Sequence, residues 1–579
     1  MDQNRLLIAI ALSVAILFGF QLFGPKRATP PTADTQATPT SQTAAPVRDP
    51  AFPGTQPVPV TPPTEQANVP RLPIEAPKLK GSINLAGARI DDLVLRDYHE
   101  EVSKESPLVR LLEPRADPQP YYVQFGWTGE GVKVPDTDTV WKASDKELTT
   151  THPVTLSWDN GEGQVFELTV AIDDNYMFSI DQRVRNNGSA PVKVYPWSRI
   201  RRDYKPVTAG YYILHEGLLG VLGGTLQEQT YDKAKTEGEK ASGGPSLKVD
   251  TTGGWAGITD KYWLTALIPD QAVPVQAAFR HMTENSADRY QVDFVPTAAQ
   301  TVEAGAAASS TSHLFAGAKV VQLLDRYEAE YKLPNFDKAV DFGWFYFLTK
   351  PIFYALDWLY HVVGNFGLAI MIFTVCVKLL FFPLANKSYR SMSKMKLLGP
   401  KMQEIRERLK DEPQKMQAEI MGLYKSEKVN PASGCLPMVV QIPVFFSLYK
   451  VIFVTIEMRH APFFGWIHDL SAVDPTNVFN LFGLIPFDPA PYSHFLHLGA
   501  WPLIMGVTMF LQQKLNPPPP DPVQAKIFQF MPIIFTFMLA SFPAGLVIYW
   551  SWNNTLTILQ QWTIMRRAKL GQPQMARSS

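Results

Sequence analysis

Cysteine is nearly absent: two among 579 residues, Cys376 and Cys435. Both fall in or beside apolar runs without metal-type spacing, so neither a disulfide framework nor a thiolate zinc site organises the chain. Net charge is missing as well, 54 Lys and Arg balancing 54 Asp and Glu. That balance hides segregation, with polar stretches early and long apolar runs late. No nucleophile elbow, phosphate-cradling glycine loop or metal-ligand cluster is present in the first half. The pair His494 and His497 has helical i,i+3 spacing but no third ligand nearby. These absences exclude the common signatures of hydrolase, nucleotide and metal chemistry, and no cofactor or metal is expected.

What is present is apolar length with a charge inside it. Residues Ala369 to Leu384 are apolar enough for a bilayer, yet they contain Lys378. A cation in hydrocarbon costs about 2.5–3.5 kcal/mol even on lenient insertion scales. Thr374 lies four residues earlier, on the same helical face. One reading has this face look into a wet cavity. The other has Lys378 snorkel to headgroups, since Ala385 is only about 10 Å away along a helix.

The chain is too long for one core. Leu6 to Phe23 is apolar and is not followed by a small-x-small cleavage site, so residues 1–27 are predicted to form an uncleaved anchor. Residues 28–80, with 13 of the 49 prolines and one aromatic, Phe52, read as an extended tether. Residues 81–333 alternate apolar and polar, as in Tyr176, Phe178 and Ile180 against Ser179, Asp181 and Arg183. Turn clusters such as Asn186-Asn187-Gly188 punctuate them. This pattern predicts a large all-β sandwich, with Glu228 to Gly254 as a long polar loop. His99, His152, His215, His281 and His313 are scattered through it without a shared motif.

Residues 334–363 mix aromatics with charges, as an amphipathic interfacial helix does, with Pro351 marking a bend. A span over 364–385 follows. Residues 386–430 come next, and Asn386 to Lys428 holds 11 Lys/Arg against 6 Asp/Glu. Apolar spacing there predicts two amphipathic helices meeting at Pro413, a basic hairpin that stays cytoplasmic. A span over 431–457 contains Gln441, Pro443 and Lys450, the last expected to snorkel outward. A loop (458–493), a fourth span (494–513) and a short loop (514–526) lead to 527–565, too long for one crossing and broken at Ser541-Phe542-Pro543-Ala544-Gly545. The basic tail, 566–579, places the C-terminus in the cytoplasm. Six spans with both ends inside and the β domain outside close the topology. Thr374 and Lys378, Gln441, and Tyr549, Trp550, Asn553, Asn554, Thr555 and Thr557 give polar faces on three helices. No acid in any span core matches Lys378.

Lys425-Ser426-Glu427-Lys428-Val429-Asn430-Pro431, Gly434-Cys435-Leu436-Pro437 and Gln441-Ile442-Pro443 resemble the YidC family of membrane-protein insertases. So do Trp466-Ile467-His468-Asp469-Leu470-Ser471, Gly506-Val507-Thr508-Met509 and Phe542-Pro543-Ala544-Gly545. The resemblance covers residues 340–567, and the anchor, tether and β domain look like its Gram-negative branch, whose supersandwich resembles galactose mutarotase. It implies a five-helix insertase core in the inner membrane around a groove open to cytoplasm and lipid. Lys378, Thr374, Gln441, Tyr549, Trp550 and Asn553 would line that substrate groove. Implied partners are nascent membrane proteins, the Sec translocon with its accessory subunits, the ribosome and membrane lipid, with no specific nucleic-acid sequence. The family's groove cation is usually arginine; lysine keeps the charge and loses the bidentate fork. The aromatic pair Tyr549-Trp550 departs from two tyrosines, and Lys450 has no family counterpart. Two rival functions are a glycan enzyme on the β domain, which deletion of Gly81 to Val320 would abolish, and a solute transporter, for which no internal repeat is evident.

Overall fold

A computed structural model describes residues 69–208, 214–241, 244–284, 287–410, 412–427, 429, 436–485, 497–516 and 522–570. The expected anchor at Leu6 to Phe23 and most of the tether lie outside the described residues, as do His494 and the end of the tail.

The alternating segments pair into an 11-stranded and a 9-stranded sheet, nearly all antiparallel. The first runs from Leu247–Thr252 through Val192–Arg202, Tyr121–Glu130 and Arg71–Glu75 to the short Leu148–Thr149. The second is centred on Met177–Asn186, hydrogen-bonded to Gln164–Ile172 and Ala307–Ala318. Period-two alternation puts Phe178, Ile180 and Val184 inside, each removed from water, worth about 1.5–3 kcal/mol per large side chain. Gln182 faces inward with them and donates to the Gly126 carbonyl of the other sheet at 2.8 Å, which satisfies an amide that burial would otherwise penalise. A Cβ at Gly126 would come within 2.5 Å of the Trp197 ring, so no larger residue fits.

Two expectations fail here. The tether does not reach residue 80, because Arg71–Glu75 and Leu79–Asn84 already pair as strands. The polar stretch 228–254 is no loop: it contains strand Leu247–Thr252 and helix α1, Tyr231–Lys240. Thr230 caps α1 by accepting from Lys233 N. Buried Tyr231 anchors it, receiving a hydrogen bond from Arg202, whose guanidinium also grips Asp260 through two 2.8 Å bonds. That anchorage is tertiary and invisible in local composition.

Helix α2, Val321–Glu330, leaves the sandwich. Its first N–H is met by Glu457 from the helical half at 3.1 Å, and Gln322 Nε2 donates to Asp357 at 2.6 Å. Arg459 reaches back to the His99 and Glu100 carbonyls. The sandwich is thus tied to the helices by named polar bonds.

The helical half comprises α3 (Tyr346–Val363), α4 (Phe366–Leu380), α5 (Phe382–Leu397), α6 (Gly399–Arg408), α7 (Pro413–Ser426), α8 (Leu436–Val454), α9 (Ala500–Leu515), α10 (Pro522–Leu539) and α11 (Ala544–Leu570). The bend expected at Pro351 sits instead at Gly364. Pro351 is accommodated inside α3, whereas Gly364 takes a left-handed φ of 71° and Asn365 caps α4. Tyr360 and Phe366 stack across the 120° break, 3.9 Å between centroids. Among the described residues no single helix is long and apolar enough to cross a membrane; α3 and α4 pass only as this bent pair. Helices α6 and α7 close a hairpin over Leu398, Met402, Tyr424 and Val429. Helices α10 and α11 are separated by a break at Ala540 to Pro543, and both pack against α9.

Candidate substrate groove

Lys378 sits in the last turn of α4, half-buried, its stem lying among Val377, Phe381 and Val444. Its ammonium points across the bundle, not along the helix: Nζ donates to Thr557 Oγ1 on α11 at 2.9 Å. Thr557 in turn donates to the Asn553 carbonyl one turn earlier, at 2.7 Å. The threonine oxygen is therefore fixed as an acceptor toward the cation. Among the described residues no carboxylate lies within ion-pair distance of Lys378.

Beside the amine is a cavity of about 40 Å³, lined by Lys378, Gln441, Gln560, Tyr389 and apolar neighbours. It has room for about one or two waters, and its polar walls give them partners. Gln441, on α8, lines the same space and donates through Nε2 to the Tyr549 hydroxyl on α11. Tyr549 is buried, its ring 6.4 Å from Phe445. Trp550 packs edge-on against Phe445 at 4.6 Å and faces Phe535 of α10. The cation and the amide border this one small opening, while Tyr549, bonded to Gln441, and Trp550 lie outside its lining.

Not every expected residue meets this space. Thr374 is buried and its hydroxyl donates to the Ile370 carbonyl of its own helix at 2.7 Å. Asn553 lies outside the cavity lining, with a buried Oδ1 that has no partner. Thr557, Gln560 and Tyr389 are additional neighbours of the cation. Thr557 was legible as part of a polar face, but its role depends on α4 and α11 crossing 179 residues apart. Asn554 and Gln561 face the other way, bonding Thr508 and the Leu515 carbonyl of α9 as interhelical ties.

Lys450, expected to snorkel outward, pairs with Asp341 at 2.9 Å. A nearer acid beats a longer reach to headgroups. The carboxylates of Asp325, Glu328 and Asp337 cluster closely enough for a metal, but the Lys350 ammonium sits on Asp325 and Asp337, with Tyr346 and Tyr354 donating to the same acids. The cluster already holds a cation. His497, half of the histidine pair, bonds the Asp474 carbonyl through Nε2 at 2.9 Å.

The family model "YidC periplasmic domain" matches residues 71–355, and "60Kd inner membrane protein" matches residues 358–572. The chain is 62% identical to "Membrane protein insertase YidC" of Granulibacter bethesdensis over the full length of both. It is 58% identical to the protein of that name from Acidiphilium cryptum, over 86% of this chain and 84% of that one. For Methylobacterium radiotolerans the figure is 51%, over 98% and 95%. The structure "Active YidC insertase crystal structure with the first transmembrane domain resolved" is similar at 18% identity and a TM-score of 0.34, over 85% of this chain and 94% of that one, too distant to add to the sequence matches. Full-length identity above one half with several of these proteins leaves no ambiguity of kinship: the chain belongs to the YidC family of membrane protein insertases.

Proposed function

We propose that this chain inserts integral proteins into the inner membrane and helps them fold, a non-enzymatic role. In this reading α4, α8, α9, α10 and α11 are five spans and residues 6–23 a sixth, with both termini cytoplasmic and the sandwich periplasmic. Helices too short or too bent to cross unaided fit a core that thins the bilayer around them: α4, with 15 residues, spans about 22 Å.

One observation carries the reading: the Lys378 ammonium is turned inward, held by a hydroxyl and not neutralised by an acid. A hydroxyl orients a cation without cancelling its charge, so its field remains available to a polar or acidic segment of an incoming chain. Gln441 supplies polar wall beside it, Tyr549 and Trp550 back that wall through Gln441 and Phe445, while Thr374 and Asn553 shape the helices that carry it. Burying an apolar stretch of about 20 residues in lipid supplies the driving force, so no nucleotide is required. The basic hairpin α6–α7 would meet the ribosome and arriving substrates, and the periplasmic side the Sec translocon. The test is depletion of the endogenous insertase and complementation with this chain, scoring insertion of a short-tailed membrane protein. Growth and insertion are expected to be restored; failure of a stably expressed chain to restore either would overturn the proposal.

A further inference from the structure

A second cavity, of about 1130 Å³, lies between the sandwich and the helical half. It exceeds the usual size of a small-molecule site. Its walls differ in chemistry. The helical side is rich in aromatics, Phe345, Phe446 and Tyr449 among them, and carries Lys338 and Lys450; the sandwich side presents Lys205, Glu216, Glu228 and Asp232. Trp344, 99% exposed, stands at its rim as interfacial aromatics do. An aromatic-rich wall edged by charge and facing a charged wall matches one kind of molecule, an amphiphile with its head at the charged groups.

The charges narrow its class. Lys205, Lys338 and Lys450 face Glu216, Glu228, Asp232 and Asp341, and burial lowers the His215 pKa and keeps that ring neutral. Three lysines against four carboxylates leave one negative charge, which repels an anionic head group. Two pairs are closed internally, Lys450 with Asp341 at 2.9 Å and Lys205 with Asp232 at 2.5 Å. The Lys450 stem passes against Gly343, where a Cβ would lie 2.8 Å from Lys450 Cε. That lysine is therefore built into the cavity wall. Among the described residues neither Lys338 nor Glu228 has an ion pair. Glu216 is already engaged, so one cation and one carboxylate are left for a ligand carrying both signs.

We propose that this cavity holds one phospholipid with a net-neutral, amine-bearing head group. Its phosphate lies toward Lys338 and its ammonium toward Glu228. Its chains run along Phe446 and Tyr449, where burial of methylenes favours them. The topology proposed above decides only which leaflet supplies the lipid. Retention is read without any insertion assay, so the two proposals fail separately.

The experiment is native mass spectrometry of the full chain, purified in mild detergent from bilayers of equal phosphatidylethanolamine and phosphatidylglycerol. The wild type is expected to retain phosphatidylethanolamine at least fivefold over phosphatidylglycerol. Glu228→Lys, on an exposed strand position, makes the cavity net positive and is expected to reverse that preference; Lys410→Glu on the distant hairpin is expected to leave it unchanged. A reversal of preference cannot come from unfolding. Equal retention of both lipids by the wild type, or the same preference in Glu228→Lys, would overturn the proposal. So would a photoreactive side chain at Leu226 of the otherwise wild-type protein that captures nascent polypeptide and not lipid.

Discussion

The sandwich and the helical half differ in where each leaves a buried charge without an acid. In the sandwich Arg202 is held by Asp260 and Arg280 by Asp293 at 2.9 Å, while buried Lys319 donates to the Thr259 hydroxyl and the Asp260 carbonyl. In the helical half Lys450 and Lys350 are likewise closed by acids. Among the described residues Lys378, like Lys319, has only a neutral acceptor, but it borders a cavity instead of lying sealed in the sandwich core. Buried ions need partners, and removing one partner leaves a costly uncompensated charge. Where a fold stops at a neutral acceptor beside a cavity, a counter-charge can come from outside. In the proposed function the contrast separates charges that hold structure from the one that meets substrate.

The strongest way to break this comparison is on the sandwich side. Arg202→Ala strands Asp260 and frees Tyr231, and is expected to destabilise the β domain by about 3 kcal/mol. Thermal unfolding followed by circular dichroism checks this, while insertion by the surviving folded protein is expected to continue. Loss of insertion at unchanged stability would make Arg202 functional. Next comes Thr557→Val, which keeps the branched shape and removes the acceptor. Hydrogen bonds to charged groups are worth about 1.5–3 kcal/mol; insertion is expected to fall several-fold, and Thr557→Ser to restore it. Gly364→Ala forces a side chain into the left-handed region, at about 1 kcal/mol, and is expected to lower the melting temperature slightly by straining the α3–α4 bend.

The smallest effect is a pH slope. Burial pushes Lys319 and Lys261 down to about 8. In the unfolded chain these amines hold protons to about pH 10.4, so between about pH 8 and 10 the unfolded state binds more protons and stability rises with pH. The melting temperature is expected to climb across that window, and Lys319→Met to flatten the climb. A fall with pH would contradict the burial of these amines.

Local chemistry made much of the fold legible. The break at Ser541-Phe542-Pro543, the amphipathic spacing of α6 and α7, and the alternation of Met177–Asn186 all follow from neighbouring residues. Helix α1 was not legible, because Tyr231-Asp232-Lys233 opens a polar segment whose anchor is an arginine 29 residues away. The Gly364-Asn365 pair was a readable stop signal overshadowed by Pro351. For the candidate groove, residue types were visible but not their pairings. Gln441 with Tyr549, Lys378 with Thr557 and Lys450 with Asp341 each join positions more than 100 apart in sequence. No periodicity reports such crossings.

The most direct measurement is insertion efficiency of a paired substrate set, with neutral or acidic translocated segments, in Lys378→Arg, Lys378→Met and wild-type chains at matched expression. Lys378→Arg is expected to retain insertion of both. Lys378→Met is expected to lose roughly tenfold on the acidic set, the equivalent of about 1.4 kcal/mol, and less on the neutral one. Equal insertion of both sets by Lys378→Met would contradict the claim that an open positive charge inside the bundle receives the incoming chain.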